Sequence, residues 1–108
     1  MSSLDLLQGT LDLLILRTIS VGPMHGYGVA RTIKDRSHGV LLVEEGALYP
    51  ALHRLERRQF IDSDWGLSEN NRRAKFYRLT VHGRSAMRAA VADWRRYTAA
   101  VDAILQAS

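Results

Sequence analysis

The chain has no cysteine, only two prolines and, unusually for a basic protein, only two lysines, Lys34 and Lys75. The absence of cysteine excludes disulfides, a thiol redox switch and any Cys-ligated zinc or iron–sulfur centre. The shortage of lysine matters because basic residues number 15 against 11 acidic ones, a formal net charge of +4. The positive charge therefore rests almost wholly on arginine, the side chain suited to bidentate contact with phosphate and guanine. A GC-rich genome would also enrich arginine, so composition counts only as weak support for a polyanionic partner. Long apolar runs are missing as well. The opening MSSLDLLQGTLDLLIL has no basic leader and is broken by Asp5, Gln8 and Asp12. This pattern argues against a signal peptide or a membrane span and for a cytoplasmic protein.

Catalytic and metal-binding patterns are also lacking. His25, His38, His53 and His82 are scattered without ligand spacing or clustered carboxylates, and His25 reads as a cap or packing residue of the second helix. GYGVAR has part of a dinucleotide-binding loop, but the third glycine and the surrounding parallel βαβ unit are absent. No nucleophile, base and orienting acid stand in a defensible arrangement, so the chain is not expected to be an enzyme or to need a metal or cofactor.

At 108 residues, without repeats or linkers, one compact domain is expected. A first helix runs from about Thr10, read as its N-cap, to Ser20. It is apolar on nearly every side, as a helix buried on more than one face must be. A second runs from about Tyr27 to Arg36 with Val29, Ala30 and Ile33 inward; Gly39 closes it, and VLLV after it reads as a short strand. A third spans about Ala47 to Arg58, with Leu48, Leu52 and Leu55 forming the buried stripe. Its other side carries Tyr49, His53, Arg54, Arg57 and Arg58, with Glu56 as the one acid. FIDSDWGLS and KFYRL then alternate as strands do, and ENNRRA between them supplies turn residues and a tip bearing Arg72 and Arg73. From Asn70 to Arg78 there are four basic residues and no acid.

Three helices and a hairpin, with a cationic third helix and a cationic tip, follow the order of a winged helix-turn-helix. The third helix would enter the major groove and the wing would follow the backbone. The stretches GTLDLLILR, GPMHGYGVA, LYPALHRLE and NNRRAKFYRLT, in that order, resemble the PadR family of bacterial winged-helix transcriptional regulators over almost the whole chain. The short C-terminal part is similar to the compact subgroup with a single long final helix. The expected fold is thus mainly α with a small β-hairpin: residues 1–79 form a winged helix-turn-helix and residues 80–108 a C-terminal dimerisation helix.

Expected contacts with double-stranded DNA come from Tyr49, Pro50, His53, Arg54 and Arg57 on the third helix and from Arg72, Arg73 and Lys75 on the wing. Pro50 is expected in the first turn of its helix, where a missing N–H costs little. Whether it only fixes the helix start or also shapes the DNA-facing end is open from sequence. The last helix should run from Thr80, its N-cap, to Gln106, about 40 Å at ~1.5 Å per residue, too long for this small core to cover. Met87, Val91, Trp94, Thr98, Val101 and Leu105 recur at spacings of four and three, with Ala90, Tyr97 and Ile104 beside them. Such a stripe calls for a second copy, giving a homodimer joined through Met87, Val91, Trp94, Val101 and Leu105 with help from Leu4, Leu7 and Leu11. A dimer implies a two-fold-related operator. The resemblance implies repression through an inverted repeat and a planar aromatic effector beside Trp94, although spacing alone makes Trp94 a packing residue. The rival function is a winged-helix protein-interaction module whose cationic face docks an acidic partner.

Overall fold

The computed structural model describes residues 9–106; Leu4 and Leu7 lie outside the described residues. In chain order the elements are α1 (Thr10–Ile19), β1 (Met24–His25), α2 (Gly26–Arg36), α3 (Glu45–Arg57), β2 (Ile61–Leu67), β3 (Arg73–Leu79) and α4 (Val81–Gln106). The strands form one antiparallel sheet in the order β1-β3-β2. The architecture is the expected helical one with a hairpin, enlarged by a third strand too short to show in any sequence pattern.

The apolar periodicities converge on one core. Ile15 and Ile19 of α1, Val29 and Ile33 of α2, Leu48, Leu52 and Leu55 of α3, and Ile61 of β2 are each at most 5% exposed. Full burial of one such side chain stabilises by roughly 1.5–3 kcal/mol before entropy is charged against it. VLLV does not join the sheet. It contributes an isolated bridging residue at Leu41, while Leu41 and Val43 pack on the core. The Leu41 N–H donates to Ser37 Oγ at 3.0 Å, so the backbone here is satisfied by a side chain rather than by a neighbouring strand.

Helix ends follow local chemistry, with two corrections. Gly9, in the left-handed region at φ 88°, occupies the N-cap of α1, and Thr10 is the first helical residue. α3 begins at Glu45, so Pro50 is its sixth residue, not a member of the first turn. It therefore removes the bond that residue 50 would donate to the carbonyl of Gly46. α3 closes with Gln59 at φ 64°, Gln59 N–H donating to Glu56 O at 2.9 Å and Phe60 N–H to Leu55 O at 3.0 Å. That paired closure turns the chain sharply into β2.

Thr80 caps α4 as expected. Its Oγ1 accepts from the Gly83 N–H at 2.9 Å and donates to Gln59 O at 2.7 Å. A Cβ on residue 83 would run into the carbonyl of Phe60, so the start of α4 can lie against the chain leaving α3 only because Gly83 has no side chain. These contacts tie α3, the hairpin and α4 together at one corner.

Candidate nucleic-acid interface

The buried leucines of α3 fix which residues it presents outward. His53 and Arg57 are exposed, and neither side chain has a hydrogen-bond, ionic or ring partner among the described residues. Two unpaired side chains on the outer face of an otherwise well-bonded helix are free for an external ligand. Tyr49, 42% exposed, lays its ring across the start of α2. A Cβ on Gly26 would fall 2.9 Å from its hydroxyl, so glycine at 26 is what lets the two helices close up there. Pro50 is exposed beside it.

The remaining cations of α3 are held within the chain. Arg54 Nη2 donates to Asp12 Oδ1 at 2.9 Å, joining α3 to the first turn of α1. A partly exposed pair of this kind contributes about 0–1 kcal/mol, so it orients Arg54 more than it stabilises the fold. Arg58 sits 4.7 Å from the centre of the Phe60 ring. The Arg54 link has no signal in the sequence, where Asp12 appears as a break in an apolar run.

Glu56, the one acid on this side of α3, joins the helix to the wing. Ser63 Oγ donates to its Oε2 at 2.6 Å and Lys75 Nζ lies 3.5 Å from its Oε1. The signal was present in the sequence as an acid among arginines. Lys75 therefore sits midway along the wing, opposite Trp65, and is also 5.8 Å from the Tyr77 ring. Burial, and after it the Glu56 carboxylate, raises the Tyr77 phenol above its ordinary range.

At the tip, Asn71 takes φ 58°, and Ser68 and Arg72 close the turn through Ser68 N–H donating to Arg72 O at 2.8 Å. The Arg72 side chain has no partner among the described residues. Arg73 stacks 4.9 Å from the centre of the Trp65 ring. His25 joins the tip to α2: its Nδ1 accepts from the Gly28 N–H at 3.0 Å, which places the ring proton on Nε2, 3.7 Å from Glu69 Oε2. The capping role expected of His25 is thus observed.

The expected interface residues of α4 divide along the helix. Met87 is 8% exposed within its own core, and Leu11 and Val91 pack on that core. Trp94 and Val101 are half-buried, while Tyr97, Ile104 and Leu105 are exposed, the last two at 75%. The Trp94 and Tyr97 rings stand 6.1 Å apart, tilted by 37°. They flank a groove of about 470 Å³ that Leu13, Ala90 and Asp93 also line, with Gly9 and Thr10 at its end. Among the described residues no helix is long and apolar enough to cross a membrane.

Known proteins resemble this chain in sequence and in fold. An uncharacterized protein of Lysinibacillus sphaericus is 28% identical over 102 residues, covering 94% of each chain. A solved transcriptional regulator from Clostridium thermocellum superposes with a TM-score of 0.83 at 25% identity, over 92% of this chain and 96% of its own. A PadR-like transcriptional regulator from Bacillus cereus gives 0.81 at 27% identity, over 94% and 96%. A PadR family transcription regulator from Clostridium difficile gives 0.78 at 27%, over 90% and 99%. The model of the transcriptional regulator PadR-like family matches residues 15–89. With a family match over most of its length and the winged fold in place, the chain belongs to the PadR-like family of transcriptional regulators.

Proposed function

We propose that the protein is a homodimeric, sequence-specific DNA-binding repressor, not an enzyme, acting in the cytoplasm on an inverted-repeat operator. The observation that carries this reading is the presence of two unpartnered polar sites: His53 and the cation Arg57 on the outer face of α3, and the cation Arg72 at the wing tip. The first site suits base edges in the major groove and the second suits phosphates. The apolar far end of α4 supplies the dimer contact. Two recognition helices about 34 Å apart would then meet successive major grooves of a two-fold-related site.

The groove beside Trp94 and Tyr97 receives a planar aromatic effector, and the effector relieves repression by favouring a dimer whose recognition helices no longer match that spacing. It acts only if it binds that state more tightly than the DNA-bound one.

The test is fluorescence anisotropy with the DNA segment upstream of the gene, against an unrelated duplex, across a salt series. The reading requires tighter binding to the upstream segment and a logarithmic affinity that falls steeply with salt. Equal binding to both duplexes, or affinity indifferent to salt, would reject it. Retention by an acidic protein instead of DNA would favour the interaction-module reading.

A further inference from the structure

Trp65 stands 59% exposed in the middle of β2, and Leu67, two residues on, is 65% exposed. In an antiparallel ladder, alternate residues of one strand share a face with their partners on the next. The register pairs Ile61 with Leu79, Ser63 with Tyr77, Trp65 with Lys75 and Leu67 with Arg73. This face begins inside the core at Ile61 and Tyr77, meets Glu56 of α3 at Ser63 and Lys75, and then emerges as Trp65, Leu67 and Arg73. The indole therefore lies on the side of the wing that faces the recognition helix. The Asp62–Arg78 ion pair, at 2.6 Å, occupies the opposite face, and Asp64 shares that face with it.

Arg73 lies over the ring, its Cζ 4.9 Å from the centre. A guanidinium held over an aromatic ring makes no hydrogen bond to it and so keeps its N–H donors for a further partner. We propose that Trp65 and Arg73 act as one DNA-contacting unit: the indole packs on the sugar edge of the minor groove where the wing crosses the backbone, and it presents Arg73 to that groove. The proposal rests on the DNA-binding reading above and adds an apolar contact to a surface otherwise recognised by charge. DNA is the occupant because the patch is continuous with Arg57 and Arg58 beside α3 and bounded by Arg72 and Arg73, with Lys75 balanced by Glu56 and Glu69 the acid at the tip. Arginine is drawn to narrow minor grooves, whose negative potential is enhanced in A·T-rich sequence. The unit should therefore favour A·T over G·C beneath the wing.

The experiment uses the full chain and two random duplexes of about 30 base pairs, one A·T-rich and one G·C-rich, in a salt series. The emission change of the native chain minus that of W65F reports Trp65, and circular dichroism checks the fold of each variant. Saturating DNA should shift the Trp65 emission. W65A should weaken binding to the A·T-rich duplex about tenfold and lower the salt slope by less than one, since Arg73 keeps its charge but loses the ring that presents it. R73A should lower the slope by about one. W65A/R73A together should lose less than the product of the two, since the ring presents the arginine. An unchanged Trp65 emission at saturation, or a folded W65A within twofold of the native affinity, overturns the inference while salt-dependent binding by the native chain leaves the DNA reading standing. Absence of DNA binding by the native chain overturns both.

Discussion

The α3–wing corner and the far half of α4 solve opposite problems with the same periodicity. In α3, Leu48, Leu52 and Leu55 are at most 2% exposed, so the helix completes its burial inside one chain and has a polar face left over. In α4 the stripe is buried only at Gly83 and Met87, and it ends in Ile104 and Leu105, each 75% exposed. The first region presents unpaired cations and the second unpaired apolar surface. On the function proposed above each meets a different partner, a polyanion for one and a second copy of the chain for the other. Sequence periodicity is equally strong in both; only the position of the core separates a finished helix from an unfinished one.

The strongest way to break this comparison is to charge the unfinished end. V101E should place an unpaired charge in the proposed dimer seam at a cost of several kcal/mol. Sedimentation should then show monomer, with operator affinity falling because one winged helix holds half the contact. A folded monomer with native operator affinity would separate assembly from function. Val91 is a poorer probe, because it also packs on the core of its own chain.

Next in size is Pro50. Interior proline costs a helix about 3 kcal/mol, so P50A should raise the melting temperature by restoring a donor to the Gly46 carbonyl. If DNA affinity falls in the same stabilised variant, the proline shapes the DNA-facing end. Unchanged affinity would reduce its role to local geometry.

Division of labour within the cationic surface comes third. R72A should weaken binding to all sequences alike and lower the salt slope by about one. H53A should instead change the preferred base pair, at about 1–3 kcal/mol per discriminated position. A shift in sequence preference from R72A with an unchanged slope would reverse the assignment. The smallest effect is expected for the α1–α3 link. D12N should cost no more than about 1 kcal/mol in thermal stability. If R54A alters base preference while D12N does not, Arg54 leaves Asp12 to reach DNA.

Much of the fold was legible because it depends on neighbours in sequence. The leucine spacing of α3, the Thr80 cap and the Asn turn of the hairpin are local matters, and each appears where the residues place it. The start of α3 was read too late because Pro50 was taken as a first-turn residue, whereas the helix begins at Glu45 and holds the proline in its second turn. β1 was invisible because two residues carry no periodicity; Met24 and His25 are a strand only because Tyr77 and Phe76 stand opposite them.

The sequence by itself determined the order of helices and hairpin, the buried face of each and the arginine bias of the surface, since these follow from spacing and side-chain chemistry along one chain. Tertiary structure alone decided which charges remain available. It paired Arg54 with Asp12 and Lys75 with Glu56, left His53, Arg57 and Arg72 unpaired, and set Arg73 on Trp65. Arg54 lies 42 residues from Asp12 in the chain. No spacing rule reaches that far, because such a pair exists only once two packed helices have fixed the distance between their side chains.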